Sequence, residues 1–247
     1  MPLQRIHERL AKHSQDVYTT DFLEMHRHIN NEETGVQCVF FVEDDQLIVC
    51  FRGSDSLLAD WRMNFHMSQS EYPVGSGCYV HSGFLVQWIS IEQRFKDILE
   101  EMLEDKKEEV TSVVFCGHSA GSAQCLIAAY STRELLNKFG LSGRAVTFGS
   151  PRVGNDKFKE EIESSTECER IVLDRDVITR VPIFGYQHVG NPFQIRDDGV
   201  LERDTSNLEQ IHWMLLGARH ADVGIKDHFI WNYYAAIRRY LKEEEES

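Results

Sequence analysis

The chain has 247 residues and no linker-like stretch, so we predict a single domain over residues 1–247. Its composition, 42% hydrophobic and 27% charged, is typical of a globular protein. The formal net charge of −14 argues against a nucleic-acid binder and against electrostatic docking on anionic lipid.

The same composition bears on compartment and membrane association. The first ten residues lack the apolar core of a signal peptide, and no stretch approaches the roughly 18 apolar residues of a membrane span. We therefore expect a cytoplasmic protein without a transmembrane segment. The six cysteines are accordingly predicted to be free thiols, and Cys38 and Cys50 are expected to be offset on the two arms of a hairpin.

The predicted elements alternate between short apolar runs and longer amphipathic stretches. In chain order they are a polar helix over residues 1–30, a hairpin of 36–42 and 46–51, an amphipathic helix over 86–107, a strand at 113–116, a small-residue helix over 119–132, strands at 144–147 and 170–173, a small hairpin of 193–195 and 199–201, and a last helix over about 226–242. The acidic run 242–247 is expected to fray into solvent. Buried short strands that alternate with helices predict an α/β fold with a mostly parallel sheet.

One motif carries chemistry. Ser119 lies in Gly117-His118-Ser119-Ala120-Gly121, directly between a predicted buried strand and a predicted helix. Glycines two residues either side of a serine permit the sharp strand-to-helix turn that presents a nucleophilic hydroxyl. The turn also places the Ala120 N–H at the positive end of the helix, where an oxyanion can bind. We predict that Ser119 is the nucleophile of a serine ester hydrolase.

A serine nucleophile needs a histidine base and a carboxylate that orients it, expected in the order serine, acid, histidine. Asp174 and Asp176 both follow the strand at 170–173, and spacing alone does not separate them. His228 precedes the last helix and is favoured over His220, which lies in a polar loop. On the residues alone both choices stay open.

Other histidines have simpler interpretations. We expect His81 to be a scaffold residue, and His26 and His28 to lie on a solvated helix face rather than to bind a metal. Neither zinc spacing nor a glycine-rich phosphate loop occurs in the sequence, so we predict no cofactor and no metal.

Taken together, the motifs resemble the class 3 lipases (the fungal triacylglycerol lipase family and its plant and animal relatives) over roughly residues 36–235. Four blocks carry the resemblance in the family's order: residues 51–56 (Phe-Arg-Gly-Ser-Asp-Ser) followed by Asp60-Trp61, residues 80–84 (Val-His-Ser-Gly-Phe), residues 117–121, and residues 147–155 (Thr-Phe-Gly-Ser-Pro-Arg-Val-Gly-Asn). The family often has a larger residue than Ala120, and another glycine where Ser122 stands.

The resemblance implies an α/β-hydrolase fold, with a central mostly parallel sheet flanked by helices, an N-terminal helix and a small lid segment. It selects Asp176 as the acid and His228 as the base, and it assigns the oxyanion hole to Ser54 and the Ala120 N–H. Apolar residues in the position of the lid are Leu57, Leu58 and Trp61.

The implied activity is an acylglycerol lipase that acts through Ser119, Asp176 and His228. The alternatives are a soluble carboxylesterase or phospholipase on the same triad, and a catalytically silent binding protein on a lipase scaffold. The expected partners are a lipid or small ester and, transiently, a lipid interface, with no nucleic acid. The sequence does not specify an oligomeric state.

Overall fold

The computed structural model describes residues 3–54, 68–173, 176–182, 184–196, 199–201 and 227–246. The strands of this part are β1 (Arg27–Asn31), β2 (Val36–Glu43), β3 (Gln46–Phe51), β4 (Gln69–Glu71), β5 (Tyr79–His81), β6 (Ser112–His118), β7 (Ser142–Phe148), β8 (Thr166–Leu173), β9 (Asn191–Arg196) and β10 (Gly199–Leu201). Its helices are α1 (Arg5–Asp16), α2 (Thr20–Met25), α3 (Ser82–Ile89), α4 (Glu92–Asp105), α5 (Ala120–Phe139), α6 (Asp156–Glu163) and α7 (Ile230–Glu246), with a single 3₁₀ turn at Ile178–Arg180.

Eight strands form one sheet in the order β1-β2-β3-β6-β7-β8-β9-β10. The five strands from β3 to β9 in this order run parallel, whereas β1, β2 and β10 pair antiparallel at the two edges. Parallel strands align their carboxyl ends along one edge of the sheet, which is where catalytic groups of such folds collect. The mostly parallel sheet predicted from the sequence is confirmed.

Helices cover both faces of this sheet because the central strands are apolar on both sides. Within β6, Val113 and Phe115 belong to one core, together with residues of α3, α4, α5 and α6. Val114 and Cys116 point to the other face and pack with residues of α1 and α7. The alternation of side chains along a strand therefore divides a continuous apolar run between two cores.

The β2–β3 hairpin forms where the sequence predicts it. Its tip contains Asp44, whose φ of 56° is the left-handed conformation that a tight hairpin turn requires. Cys38 lies opposite Phe51, and Cys50 lies opposite Val39, so the two cysteines are offset as expected. All six cysteines are buried and unbridged, as predicted.

The N-terminal region differs from the single helix predicted over residues 1–30. Two helices, α1 and α2, are followed by the edge strand β1, in which only Ile29 is buried. Because only one of its residues is buried, β1 has no apolar alternation that would mark it as a strand in the sequence. Its strand conformation comes from its pairing with β2. This also places His28 in a strand and His26 just after α2, so the predicted helix face for these two histidines is wrong.

Helix boundaries account for the remaining differences. The helix predicted over 86–107 is two helices, α3 and α4, separated at Ser90, whose hydroxyl donates to the Gln87 carbonyl. The apolar spacing continues across this break because α3 and α4 pack into the same core. Helix α5 continues to Phe139 and ends at Gly140, and α7 continues to Glu246, so the acidic run is an exposed helix end rather than a frayed one.

A helix that crosses a bilayer needs about 20 mostly apolar residues. Within the described ranges, none of the helices is both long enough and apolar enough to cross a bilayer.

Candidate active site

Ser119 occupies a sharp turn between β6 and α5. Its backbone angles, φ 58° and ψ −124°, are strained for a residue with a side chain. Positions 117 and 121 require glycine because neighbouring backbone leaves no room for a side chain. A Cβ on Gly117 would lie 2.6 Å from the Gly121 backbone, and one on Gly121 would lie 2.5 Å from the Phe51 carbonyl oxygen. The predicted strand, turn and helix around Ser119 are confirmed.

Ser122, which stands where the family often has glycine, ties this turn to the next strand. Its hydroxyl lies 2.7 Å from the Gly117 carbonyl oxygen and 3.0 Å from that of Phe148, and it can donate to either. The Phe148 oxygen also accepts the Ser119 N–H at 2.9 Å. Direct hydrogen bonds to the ends of β6 and β7 therefore hold the strained turn in place.

The structure brings Ser119, Asp176 and His228 into one hydrogen-bonded chain. His228 Nδ1 lies 2.8 Å from Asp176 Oδ2, and His228 Nε2 lies 2.7 Å from Ser119 Oγ. A carboxylate only accepts, so Nδ1 carries the proton and the bare Nε2 faces the serine hydroxyl. All three residues are buried, with Ser119 and Asp176 at 0% exposure. This arrangement can remove a proton from Ser119.

The Asp176 carboxylate is held by three hydrogen bonds in the loop after β8. Oδ1 accepts from the Ile178 N–H at 2.9 Å, and Oδ2 accepts from His228 and, at 2.5 Å, from the Tyr233 hydroxyl. Burial and the charge of Asp176 hold the pKa of Tyr233 well above its ordinary value, so this hydroxyl remains a donor. Asp174 and His220, the sequence alternatives, lie outside the described residues.

Tyr233 is a site residue that the sequence analysis missed. It lies on the first turn of α7, five residues after His228, and no spacing rule marks it as a partner of the acid. A second missed feature is Gly149, at the end of β7, which has a φ of 60°. A Cβ there would lie 2.9 Å from Asp176 Oδ2 and 3.2 Å from His228 Cε1. Any side chain at position 149 would therefore crowd these two residues.

The two residues predicted for the oxyanion hole belong to segments that meet at Ser119. Ala120 begins α5, so its N–H is at the positive end of the helix. Ser54 follows β3, the strand next to β6, and a Cβ on the preceding Gly53 would lie 3.4 Å from Ser119 Cβ. Leu57, Leu58 and Trp61, predicted for the lid, lie outside the described residues.

His81 is a buried residue at the start of α3. Its Nδ1 accepts the Gly83 N–H at 3.1 Å, which is the contact of a helix cap. Across the ranges that the structure describes, no group of three or more His, Cys, Asp and Glu side chains is arranged to hold a metal ion.

Comparison with known proteins relates this geometry to a family. A family model described as "Lipase (class 3)" matches residues 48–186, more than half of the chain. A secreted mono- and diacylglycerol lipase of Fusarium solani is 32% identical over 162 residues, 64% of this chain and 46% of the relative. A chloroplastic phospholipase A(1) of Arabidopsis thaliana is 32% identical over 151 residues, 55% of this chain and 33% of the relative. The matches thus span less than half the length of these two relatives.

Among solved structures, the triacylglyceride lipase of Rhizomucor miehei superposes with a TM-score of 0.71 at 22% sequence identity. The match covers 82% of this chain and 86% of that one. At this identity the likeness shows the α/β-hydrolase fold, which agrees with the predicted fold class.

The cytoplasmic location predicted from the sequence is wrong by this comparison, because the Fusarium solani relative is named as a secreted protein. That prediction was based on the first ten residues, which lack the apolar core of a signal peptide, and the free thiols were inferred from it. The burial of all six cysteines is no independent evidence of compartment, because a buried Cys packs as a small apolar residue.

The match over residues 48–186 contains the turn at Ser119 and also Asp176, and it extends from β3 to the loop that follows the 3₁₀ turn. Together with the four sequence blocks and the fold, it settles the classification: the chain belongs to the class 3 lipase family.

Proposed function

We propose that this chain is a serine lipase that hydrolyses the carboxylic esters of acylglycerols through an acyl-enzyme intermediate. The observation that carries the proposal is the buried chain of hydrogen bonds from Asp176 through His228 to Ser119. The names of relatives, among them a mono- and diacylglycerol lipase, support acylglycerols as the substrate class.

In the first half-reaction, Ser119 Oγ attacks the ester carbonyl carbon while its proton moves to His228 Nε2. The proton is then given to the departing alcohol oxygen, which leaves an acyl group on Ser119. In the second half-reaction His228 takes a proton from water, the hydroxide attacks the acyl carbon, and the fatty acid leaves as Ser119 regains its proton. Asp176 stabilises the imidazolium that forms in both halves.

Negative charge develops on the carbonyl oxygen in each half-reaction. We assign its stabilisation to the backbone N–H of Ala120 and to Ser54, which approach Ser119 from α5 and from the end of β3. The smaller side chain at Ala120 leaves this donor unchanged because the donor belongs to the backbone.

Access to the site is part of the proposal. Since Ser119 is fully shielded, an ester reaches it only after neighbouring chain moves away. We assign this movement to a lid that includes Leu57, Leu58 and Trp61, on the basis of their position after Ser54 in the sequence. Such a lid predicts that activity rises when the substrate forms an interface.

A second candidate is a phospholipase that uses the same triad. It is supported by the Arabidopsis thaliana relative, which is named as a phospholipase A(1). The net charge of −14 disfavours anionic surfaces, so neutral acylglycerols and zwitterionic phospholipids are the two substrate classes to compare.

We further propose that residues 1–247 form one domain. The support is that the two apolar cores share the same sheet, with α1 and α7 packed together on one of its faces.

The experiment compares Ser119→Ala with Ser165→Ala, a substitution at an exposed serine beyond α6. Both variants and the wild type are assayed for fluorophosphonate labelling and for hydrolysis of diacylglycerol, triacylglycerol and phosphatidylcholine, as monomers and as emulsions. We expect Ser119→Ala to lose labelling and turnover with an unchanged unfolding curve, and Ser165→Ala to keep both. Turnover that survives Ser119→Ala would overturn the proposal, and preferred cleavage of phosphatidylcholine would favour the second candidate.

A further inference from the structure

Tyr18 lies between α1 and α2, well before the region that matches the family model. Its side chain nevertheless reaches the nucleophile turn, where the hydroxyl lies 3.2 Å from His118 Nδ1. His118 is the residue directly before Ser119 and is itself buried. An N-terminal side chain thus contacts the centre of the proposed active site.

The His118 ring connects this contact to the base. Its Nε2 lies 2.5 Å from the backbone carbonyl oxygen of His228. A carbonyl oxygen only accepts, so Nε2 carries a proton. Burial, reinforced by the nearby His228, holds the pKa of His118 well below its ordinary value, so the ring is neutral and has one proton only. Nδ1 is therefore an acceptor, and the Tyr18 hydroxyl donates to it.

Tyr18 also lies against the segment that leads to the oxyanion residue. A Cβ built on Gly53 would lie 2.3 Å from the Tyr18 hydroxyl oxygen and 2.7 Å from the His118 carbonyl oxygen. The Arg52 guanidinium stands 5.2 Å from the centre of the Tyr18 ring. The hydroxyl thus occupies the narrow space between the end of β3 and the nucleophile turn.

We propose that Tyr18 and His118 are positioning residues, which together fix the backbone of His228 and the oxyanion segment relative to Ser119. The proposal rests on the serine hydrolase function above. Tyr18 orients the His118 ring, and the ring in turn anchors the carbonyl of the same residue whose Nε2 must meet Ser119. A neutral His118 also suits this place, because its ring centre is 4.8 Å from that of His228, which becomes positive during each half-reaction.

The first test is Tyr18→Phe, which keeps the ring and deletes the hydroxyl. The control is Tyr130→Phe, which deletes a tyrosine hydroxyl at a more buried position than the half-buried Tyr18. The Tyr130 hydroxyl donates to Cys78 Sγ, and Tyr130 lies roughly 16 Å along α5 from Ser119. We expect Tyr18→Phe to lower kcat by about 10-fold with KM unchanged, because misplacement of a catalytic group by a fraction of an ångström has this effect. Tyr130→Phe should change kcat little, although it should lower the unfolding midpoint at least as much as Tyr18→Phe does.

The second test asks whether the two residues act as one unit. His118→Gln retains an N–H donor for the His228 carbonyl and should keep most of the wild-type kcat. His118→Leu has no such donor, so its kcat should be lower but still measurable. In the His118→Leu background, adding Tyr18→Phe should have no further effect on kcat. A full additional loss in the double variant would overturn the proposal, and so would a Tyr18→Phe variant that behaves like Tyr130→Phe.

A third measurement does not depend on turnover. We expect the proton between His228 Nδ1 and Asp176 Oδ2, which lie 2.8 Å apart, to give a far-downfield NMR resonance whose position reports the geometry of that bond. Tyr18→Phe should shift or broaden it, and Tyr130→Phe should not. Absence of ester hydrolysis by the wild type would refute the proposed function alone, while an unchanged resonance in Tyr18→Phe would refute the positioning role alone.

Discussion

Gly149 has the conformation and the surroundings of a residue that cannot carry a side chain. Its φ of 60° is left-handed, and an added Cβ would lie 2.9 Å from Asp176 Oδ2, 3.1 Å from the Tyr233 hydroxyl and 3.2 Å from His228 Cε1. Asp176 cannot move aside freely because three donors hold its carboxylate. Gly149→Ala therefore displaces the triad as well as straining the backbone.

The magnitude follows from these distances. An ordinary contact would require the carboxylate oxygen to retreat by about 0.5 Å. If 1 Å of misplacement costs about 100-fold in rate, Gly149→Ala should lower kcat by about 10-fold or somewhat more. The left-handed backbone costs about 1–2 kcal/mol for a residue with a Cβ, and crowding of a packed site adds about 1–3 kcal/mol.

The control is Gly140→Ala at the end of α5. Gly140 has a φ of 68°, but nothing lies within 4 Å of the position that its Cβ would take. This variant should lose only the backbone contribution of about 1–2 kcal/mol and should keep its kcat. Urea unfolding and steady-state ester hydrolysis of both variants measure the two effects. Equal stability losses together with an unchanged kcat for Gly149→Ala would refute the reasoning.

Two further predictions concern buried polar partners. Tyr233→Phe removes the hydroxyl that donates to Asp176, so we expect kcat to fall about 10-fold and the free energy of unfolding to fall by about 1.5–3 kcal/mol; a kcat equal to that of the wild type would contradict this. Burial raises the pKa of Glu169, but hydrogen bonds from His7 and Arg144 outweigh it and lower the pKa overall. The stability that Glu169 contributes is therefore full above the ordinary carboxyl pKa and is lost as pH falls through the lowered value. Glu169→Gln should reduce the free energy of unfolding at neutral pH by about 1–3 kcal/mol. It should also make the loss of stability in acid less steep. Urea unfolding across pH measures both effects, and an acid decline as steep as in the wild type would refute this.

Local sequence predicts the centre of this fold well. The apolar runs of β2, β3 and β6 are recognisable because each is buried on both faces and therefore carries few polar residues. The turn at Ser119 is equally local, since the glycines around it are required by close backbone contacts within the turn and with β3. These features could be predicted because their determinants lie within a few residues or follow a simple period.

Other elements depended on contacts between distant parts of the chain. β1 is a strand because it pairs with β2, although its own residues are mainly polar. The break between α3 and α4 is invisible to periodicity because both helices face one core. Such boundaries follow from packing and from a side-chain bond at Ser90 rather than from apolar spacing.

The site divides in the same way. The sequence by itself, through Ser119 and its family resemblance, was enough to nominate Asp176 and His228, whose chemistry restricts their residue types and their order in the chain. Only the tertiary structure revealed Tyr18 and Tyr233 beside them. A supporting hydrogen bond depends on which helices pack against which strand ends, and Tyr18 lies 100 residues from the His118 ring that it contacts. Local spacing cannot predict this contact, because the packing of α1 and α7 on one face of the sheet is what brings the two residues together.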